Sequence, residues 1–312
     1  MFQISRYTAE DATAWNQFVA QSKQGTFLFD RRYMDYHADR FTDCSWIVRR
    51  GNSVRALLPA NIVGSTLLSH QGLTYGGLLT DHKAKATDVS QMFLELNSTL
   101  KDNGIRHVSY KAMPWIYHRL PAEEDLYALT QVCHAHLAVR EVSTSIDLSH
   151  RLKFEESRRS GIRKAVKVGI SYRESDDMRA FWRILNTNLE TRYSVRPVHT
   201  LAEISLLKSR FPGHIRLFMA YEGESPVAGT LVYETPQVIH TQYISASPRG
   251  KETGALDLLF DQLINHHYSH MRYFDFGKST EDQGHHLNHQ LIFQKEGFGG
   301  RAVCYDSYEY DL

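Results

Sequence analysis

Apolar and polar positions alternate over residues 44–50, 53–62 and 66–73, with Gly51-Asn52 and Gly64-Ser65 between the runs. This pattern predicts three antiparallel strands joined by tight turns. A helix is expected before them over 9–22. Another follows over 87–102, closed by Asn103-Gly104, and leads into a strand over 105–111. The order returns in the second half. Strands are predicted over 215–221, 227–234 and 238–246, interrupted by Glu222-Gly223-Glu224 and Thr235-Pro236-Gln237, then a helix over 253–268 and a strand over 273–276. Meander, helix, strand thus occurs twice. The two copies share no close residue identity, so the repeat is inferred from element order.

Residues 150–169 lie between the halves and carry seven Arg and Lys against Glu155 and Glu156. At helical spacing Arg159, Arg163 and Lys167 fall on one face and Ile162 and Val166 on another, which predicts an amphipathic basic helix with a break at Gly161. Two readings stand: a solvated linker helix, or a clamp for phosphate or an RNA backbone whose field is screened within roughly 8 Å.

Residues 240–264 join an alternating strand to an amphipathic helix through a basic, glycine-bearing loop. The first turn of a helix has N–H groups without intrahelical acceptors at the positive end of the dipole, and an anion fits there. Gly250 and Gly254 would allow close approach to the main chain, with Arg249 and Lys251 beside it. The alternative is a solvated turn before a core helix.

A length of 312 residues exceeds the usual single core. Two domains are expected, over 1–150 and 151–312. With 36 basic and 35 acidic residues there is no global attraction to nucleic acid or membrane. No run reaches the roughly 18 apolar residues of a membrane span, and the N-terminus has charges where a signal peptide is apolar, so a cytoplasmic location is expected. Cys44, Cys133 and Cys304 are widely spaced and odd in number, which suits reduced thiols. His266-His267-x-x-His270 and His285-His286-x-x-His289 lack a carboxylate or cysteine at zinc spacing, and no metal is expected.

The run from Arg249 through Lys251 and Glu252 to Gly254-Ala255 resembles the pyrophosphate loop of GNAT-type N-acyltransferases, with Glu252 where their first glycine stands. The run Arg158-x-x-Gly-Ile-Arg163-Lys164-Ala165-x-Lys167-x-Gly169 resembles the segment that opens the second GNAT-like domain of FemABX-type peptidoglycan aminoacyltransferases. Gln294-Lys295-Glu-Gly-Phe298-Gly299 resembles their Phe-Lys-x-Gly-Phe-Gly segment. The resemblance implies a mixed α+β fold of two tandem GNAT-like domains, each a mostly antiparallel twisted sheet flanked by helices. It also implies acyl transfer onto an amine of a small molecule or cell-wall precursor. The donor would be acyl-CoA, acetyl-CoA first, as in the wider superfamily, or aminoacyl-tRNA as in the Fem branch. A net charge of +1 offers tRNA little surface beyond 150–169 and favours acyl-CoA. Coenzyme A would lie along Ile244 and Ala246 and on Arg249, Gly250, Lys251, Gly254 and Ala255. A non-catalytic ligand-binding protein is the third reading.

Lys295, at the place of the Fem-type lysine, is the first candidate for stabilising negative charge on the donor or tetrahedral intermediate. Phe293 stands where GNAT enzymes often have an acidic tyrosine, so Tyr243 or Tyr305 would replace it. The candidate bases are Glu234 at a strand end and Asp275, which lies between two aromatics on a buried strand and must be paired or have a raised pKa. Acceptor contacts are expected in a groove between the domains from Arg32, Tyr36, His37, Tyr75 with Gly76, and Arg192, with Arg163 and Lys167 on the basic helix. Each could equally be a packing residue. His37 stands where the Fem family has a lysine that meets substrate phosphate.

Overall fold

The computed structural model describes residues 1–193 and 196–312, without the side chains of 191–193. Alternation builds the strands of the first half: β1 (Gln3–Arg6), β2 (Trp46–Arg50), β3 (Ser53–Leu58), β4 (Asn61–Val63), β5 (Thr66–Leu68), β6 (Leu79–Thr80) and β7 (His107–Lys111). The helices there are α1 (Ala12–Gln21), α2 (Arg31–Met34), α3 (Ala86–Asp102) and α4 (Glu124–Gln131). Val89, Met92, Phe93, Leu96 and Leu100 form the buried stripe of α3, at the three- and four-residue spacing of a one-sided helix.

Two expected strands come out shorter. The run over 53–62 divides into β3 and β4 around Pro59, which has no N–H to give to a ladder. The run over 66–73 ends at Leu68, and His70 takes φ 67°, which takes the chain out of extended geometry.

The second half begins with β8 (His136–Asp147), α5 (Glu156–Val168), β9 (Ile170–Ser175), α6 (Met178–Tyr193) and α7 (Leu201–Arg210). It continues with β10 (Ile215–Glu222), β11 (Ser225–Glu234), β12 (Val238–Ala246), α8 (Pro248–Thr253), α9 (Ala255–Gln262) and β13 (Tyr273–Lys278). A short hairpin of β14 (Thr280–Glu281) and β15 (His286–Leu287), then α10 (His289–Glu296) and β16 (Arg301–Asp311), complete the chain.

Two compact units result: Met1–Val142 with Asp282–His285 and Cys304–Leu312, and Ser143–Glu281 with His286–Val303. The first contains an antiparallel sheet ordered β1-β2-β3-β6 and a run β4-β5-β7 extended by the C-terminal part of β16. The second contains the order β8-β13-β12-β11-β10-β9, antiparallel except for the β12–β13 pair. Its core includes Phe218, Val232, Ile239, Leu259, Phe260 and Phe274.

The glycines of the two motif-like segments meet inside the second unit. The helix α5 is continuous through Gly161, contrary to the expected break. A Cβ at Gly161 would stand 1.9 Å from Asp257 Oδ2, and one at Gly254 would stand 2.5 Å from the Gly161 carbonyl. The expected helix over 253–268 is interrupted at Gly254, whose φ of 76° separates α8 from α9. These glycines let α5 and α9 approach closely while Asp257 pairs with Arg158 at 2.7 Å. Gly161→Ala is expected to destabilise the chain by about 2 kcal/mol or more. The control Gly223→Ala, at φ 57° with open space around it, should cost about 1 kcal/mol. Urea unfolding of the two variants measures the difference, and equal costs would refute the close-approach account.

Candidate functional site

The parallel strands β12 and β13 pair over only three positions, Val238↔Tyr273, Ile239↔Phe274 and His240↔Asp275, and then part. Past this point β13 lies against β8, with Lys278 opposite Ser143. Among the described residues, β12 from Thr241 to Ala246 pairs only with β11, and a bulge leaves Gln242 unopposed in that ladder. One edge of β12 therefore has N–H and C=O groups without a strand partner.

At the fork, Asp275 is fully buried. Ser143 donates its hydroxyl to Oδ1 at 2.6 Å, and Oδ2 lies 2.8 Å from His240 Nδ1. The pairing alternative expected for Asp275 is thus the one that holds. Both oxygens are thus engaged, and an Nδ1–H donated to the carboxylate would leave Nε2 of His240 without the proton. Gly277, at φ 73°, makes room for this ring, because a Cβ there would stand 3.2 Å from His240 Cε1.

Lys295 is the one buried side chain of α10. Its ammonium donates to the carbonyls of Gly277 and Lys278 at 2.8 and 2.7 Å and to Ser279 Oγ at 2.9 Å. Three donors meet three acceptors, so Lys295 acts on the fork by clamping the backbone that follows Asp275. Burial pushes its pKa down to about 8, against the raising effect of the Asp275 carboxylate.

The other catalytic candidates are already tied. Glu234 accepts from Arg216 at 3.2 Å. The Tyr243 hydroxyl sits 2.7 Å from His199 Nδ1 and 3.1 Å from the His199 backbone N–H, with the ring against Trp182. Tyr305 belongs to the first unit, where its hydroxyl is 3.1 Å from that of Tyr117. Phe293 is 63% exposed on α10.

The segment expected as an anion-binding loop is itself the helix α8. Ser247 Oγ accepts from the Gly250 N–H at 3.1 Å, and the Ser247 carbonyl accepts from the Lys251 N–H at 2.9 Å. Arg249 is bidentate on Glu222, at 2.8 and 2.6 Å, and also meets Glu252 at 3.1 Å. Glu252 thus neutralises Arg249. Gly250 is buried, with its Cβ direction blocked 2.2 Å away by the Val227 carbonyl, and Ala255 is fully buried. Ile244 and Ala246 lie on the stretch of β12 with the open edge. Beside Ala246, a cavity of about 570 Å³ opens between α6 and the start of α8.

In the first unit, Arg32 pairs with Asp30 at 2.9 Å and is exposed. Tyr36 stacks on His37 with centroids 4.3 Å apart. His37 is buried between Tyr36 and His70, and burial lowers its pKa. Tyr75 is buried too, bonded to Thr26 Oγ1 at 3.2 Å and packed on Tyr117. A Cβ at Gly76 would stand 1.9 Å from the Ser69 carbonyl. His37, Tyr75 and Gly76 are therefore buried positions. Arg192 lies outside the described side chains. In the second unit, Arg159 and Arg163 both pair with Glu156, while Lys167 is exposed. Among the described residues there is no metal-ligating group of three or more His, Cys, Asp or Glu and no helix long and apolar enough to cross a membrane.

His240 and Ser143 are the residues that sequence reasoning missed. Only the strand register brings His240 beside Asp275, and nothing in either local sequence reveals that pairing.

Residues 152–285 match the family model described as an acetyltransferase (GNAT) domain. No curated protein matches the chain. Among solved structures the chain is similar to FemX, with a TM-score of 0.71 at 11% identity over 99% of this chain and 97% of that one. It is also similar to L-PGS from Bacillus licheniformis, with a TM-score of 0.60 at 12% identity over 97% and 91%. A third similar structure is a tandem GNAT protein from the clavulanic acid biosynthesis pathway, with a TM-score of 0.53 at 13% identity over 100% and 98%. Residues 152–285 thus match a GNAT domain model within a fold similar to that of FemX, and the expected α+β GNAT-like architecture is present.

The Lys295 clamp has a pH signature. The ordinary lysine value is 10.5 and the buried one about 8, so between these limits the unfolded chain binds the extra proton and this group's contribution to stability rises with pH. Between about pH 7 and about pH 9.5, wild type should gain about 2 kcal/mol relative to Lys295→Met. Urea unfolding at both pH values tests this, and a constant difference between the two proteins would refute it.

Proposed function

We propose that this chain, with its GNAT acyltransferase-type domain and FemX-like fold, transfers an acyl group from acyl-CoA to an amine of a small molecule or cell-envelope precursor. The observation that carries this reading is the fork. An open edge of β12 runs directly up to a buried Asp275–His240 pair. An extended pantetheine arm bears amides that can add to such an edge as a strand does, which would bring the thioester to the fork.

In this reading His240 Nε2 takes a proton from the amine as its nitrogen attacks the thioester carbonyl. The C–N bond forms, backbone N–H groups of the open edge polarise the carbonyl oxygen, and the C–S bond breaks. The imidazolium then returns the proton to the thiolate, so amide and free thiol leave with atoms and charge balanced. Asp275 holds Nδ1–H and stabilises the imidazolium, while Ser143 and Lys295 keep the carboxylate and its strand end in place. Tyr243 stands on the same strand as a further contact.

A second reading has its own observation. Arg249, the cation of the pyrophosphate-loop resemblance, is consumed by Glu222 and Glu252, which suits a donor without a pyrophosphate. There the ester of an aminoacyl-tRNA replaces the thioester, and the C–O bond to ribose breaks.

Single-turnover assays with acetyl-CoA, longer acyl-CoA and aminoacyl-tRNA against a panel of amines decide between donors. Product from acyl-CoA is expected. Product only from aminoacyl-tRNA would transfer the mechanism to the ester donor, and none from any donor would leave a binding protein. With the active donor, His240→Gln should lower turnover by about a hundredfold to ten-thousandfold and abolish the acid limb of the pH–rate profile. Asp275→Asn should act in the same direction, and wild-type turnover in both variants would remove the pair from the mechanism.

A further inference from the structure

One side of the basic helix α5 serves neither the core nor the fork. Residues 150–169 hold seven of the 36 basic side chains and two of the 35 acidic ones, so the rest of the chain is negative, with 29 basic against 33 acidic. Positive charge is therefore gathered on this one element. Helix α5 turns Ala165 into the core and brings Arg158 and Gly161 to Asp257 of α9. Its other side is exposed and carries Arg159, Arg163, Lys164 and Lys167. Glu156, the one acid of α5, pairs with both arginines. Lys164 and Lys167 form no ion pair with any described residue.

Apolar side chains are exposed beside these cations. Val166 is 61% exposed on α5 itself, Leu152 is exposed on the approach to it, and α10 adds Leu291 and Phe293. The two helices meet at this place. The Glu155 N–H donates to the Gly297 carbonyl at 2.8 Å. The Arg158 stem and the Phe293 carbonyl lie 3.1 and 3.3 Å from where a Cβ of Gly297 would stand, and the Leu152 carbonyl lies 2.8 Å from that of Gly299. A lone exposed apolar residue is ordinary, but four of them beside a group of cations mark an interaction surface.

A polyanion answers the charge, and the apolar residues select its class. Three of the four are aliphatic and have no planar face on which a nucleic-acid base could stack. Acyl chains beneath anionic headgroups accept such side chains, while lysine and arginine remain at headgroup level, as for an amphipathic helix lying in the plane of an interface. No helix among the described residues is long and apolar enough to cross a membrane, so the contact considered is peripheral.

We propose that the exposed side of α5, together with Leu152 and the Leu291–Phe293 part of α10, docks on an anionic lipid surface. Lys164 and Lys167 supply charge that no neighbouring carboxylate neutralises, and Leu152 and Phe293 enter the boundary between headgroups and acyl chains. The proposal is independent of the acyl donor and of the chemistry at the fork.

The test is sedimentation of the full chain with phosphatidylcholine vesicles, with and without phosphatidylserine, and a parallel titration with total tRNA. Wild type is compared with Lys164→Gln/Lys167→Gln and with Leu152→Ser/Phe293→Ser, and circular dichroism checks that each is folded. Wild type is expected to bind the vesicles that contain phosphatidylserine, and to bind less as salt rises. Each double variant should weaken that binding about tenfold or more. No binding to the anionic vesicles, equal binding to phosphatidylcholine alone, or wild-type affinity in either double variant overturns the proposal. Binding of tRNA without vesicle binding, lost in the lysine variant and kept in the apolar one, overturns it as well and assigns this side of α5 to nucleic acid.

Discussion

The arrangement of the second unit turns on one buried carboxylate. Asp275 has no contact with solvent, and an ionised carboxyl in that position costs several kcal/mol unless its oxygens are satisfied. Ser143 and His240 satisfy them from the strands on either side. The need to pair Asp275 therefore sets the rotamer and tautomer of His240, and the parting of β12 from β13 immediately beyond it opens a strand edge at the same point. The polar pair and the fork are two consequences of a single register.

Lys295 reinforces this from outside the sheet. A helix normally adheres through an apolar stripe, yet α10 has only the stem and ammonium of Lys295 buried, anchored on three oxygens of the 277–279 turn. The stem packs while the head finds polar partners, as long cationic side chains do. In this way α10 is coupled to the strand end that bears Asp275.

The basic loop and helix show how a motif can keep its residues and change their use. Gly161 and Gly254 stand where the resemblance places an interdomain segment and a phosphate loop, but each gives up its Cβ to a neighbouring helix. Arg249 forms a bidentate ion pair with Glu222, on the preceding strands of the sheet. Fold similarity at 11–13% identity to proteins with different descriptions agrees with this. The framework is common and the chemistry lies in local side chains.

Much of the framework was legible in the chain itself. Alternation located the strands of both meanders, the 3.6-residue period located α3 and α5, and Asn103-Gly104 marked a helix end, because these signals depend on neighbours within a turn or a strand. Lys295 and Asp275 were also legible as unusual residues, one in a Fem-like segment and the other between aromatics. What they do was not. The partner of Asp275 is 35 positions away on β12 and a second partner is 132 positions away on β8, and strand order and register alone bring them together. The same limit explains His37, Tyr75 and Gly76. Their residue types suggested contacts with a ligand, but burial is a property of packing from several directions. Local periodicity determined which segments are strands and helices, and tertiary structure decided which polar groups share a dry site, because desolvation and hydrogen bonding depend on elements the chain brings together from far apart.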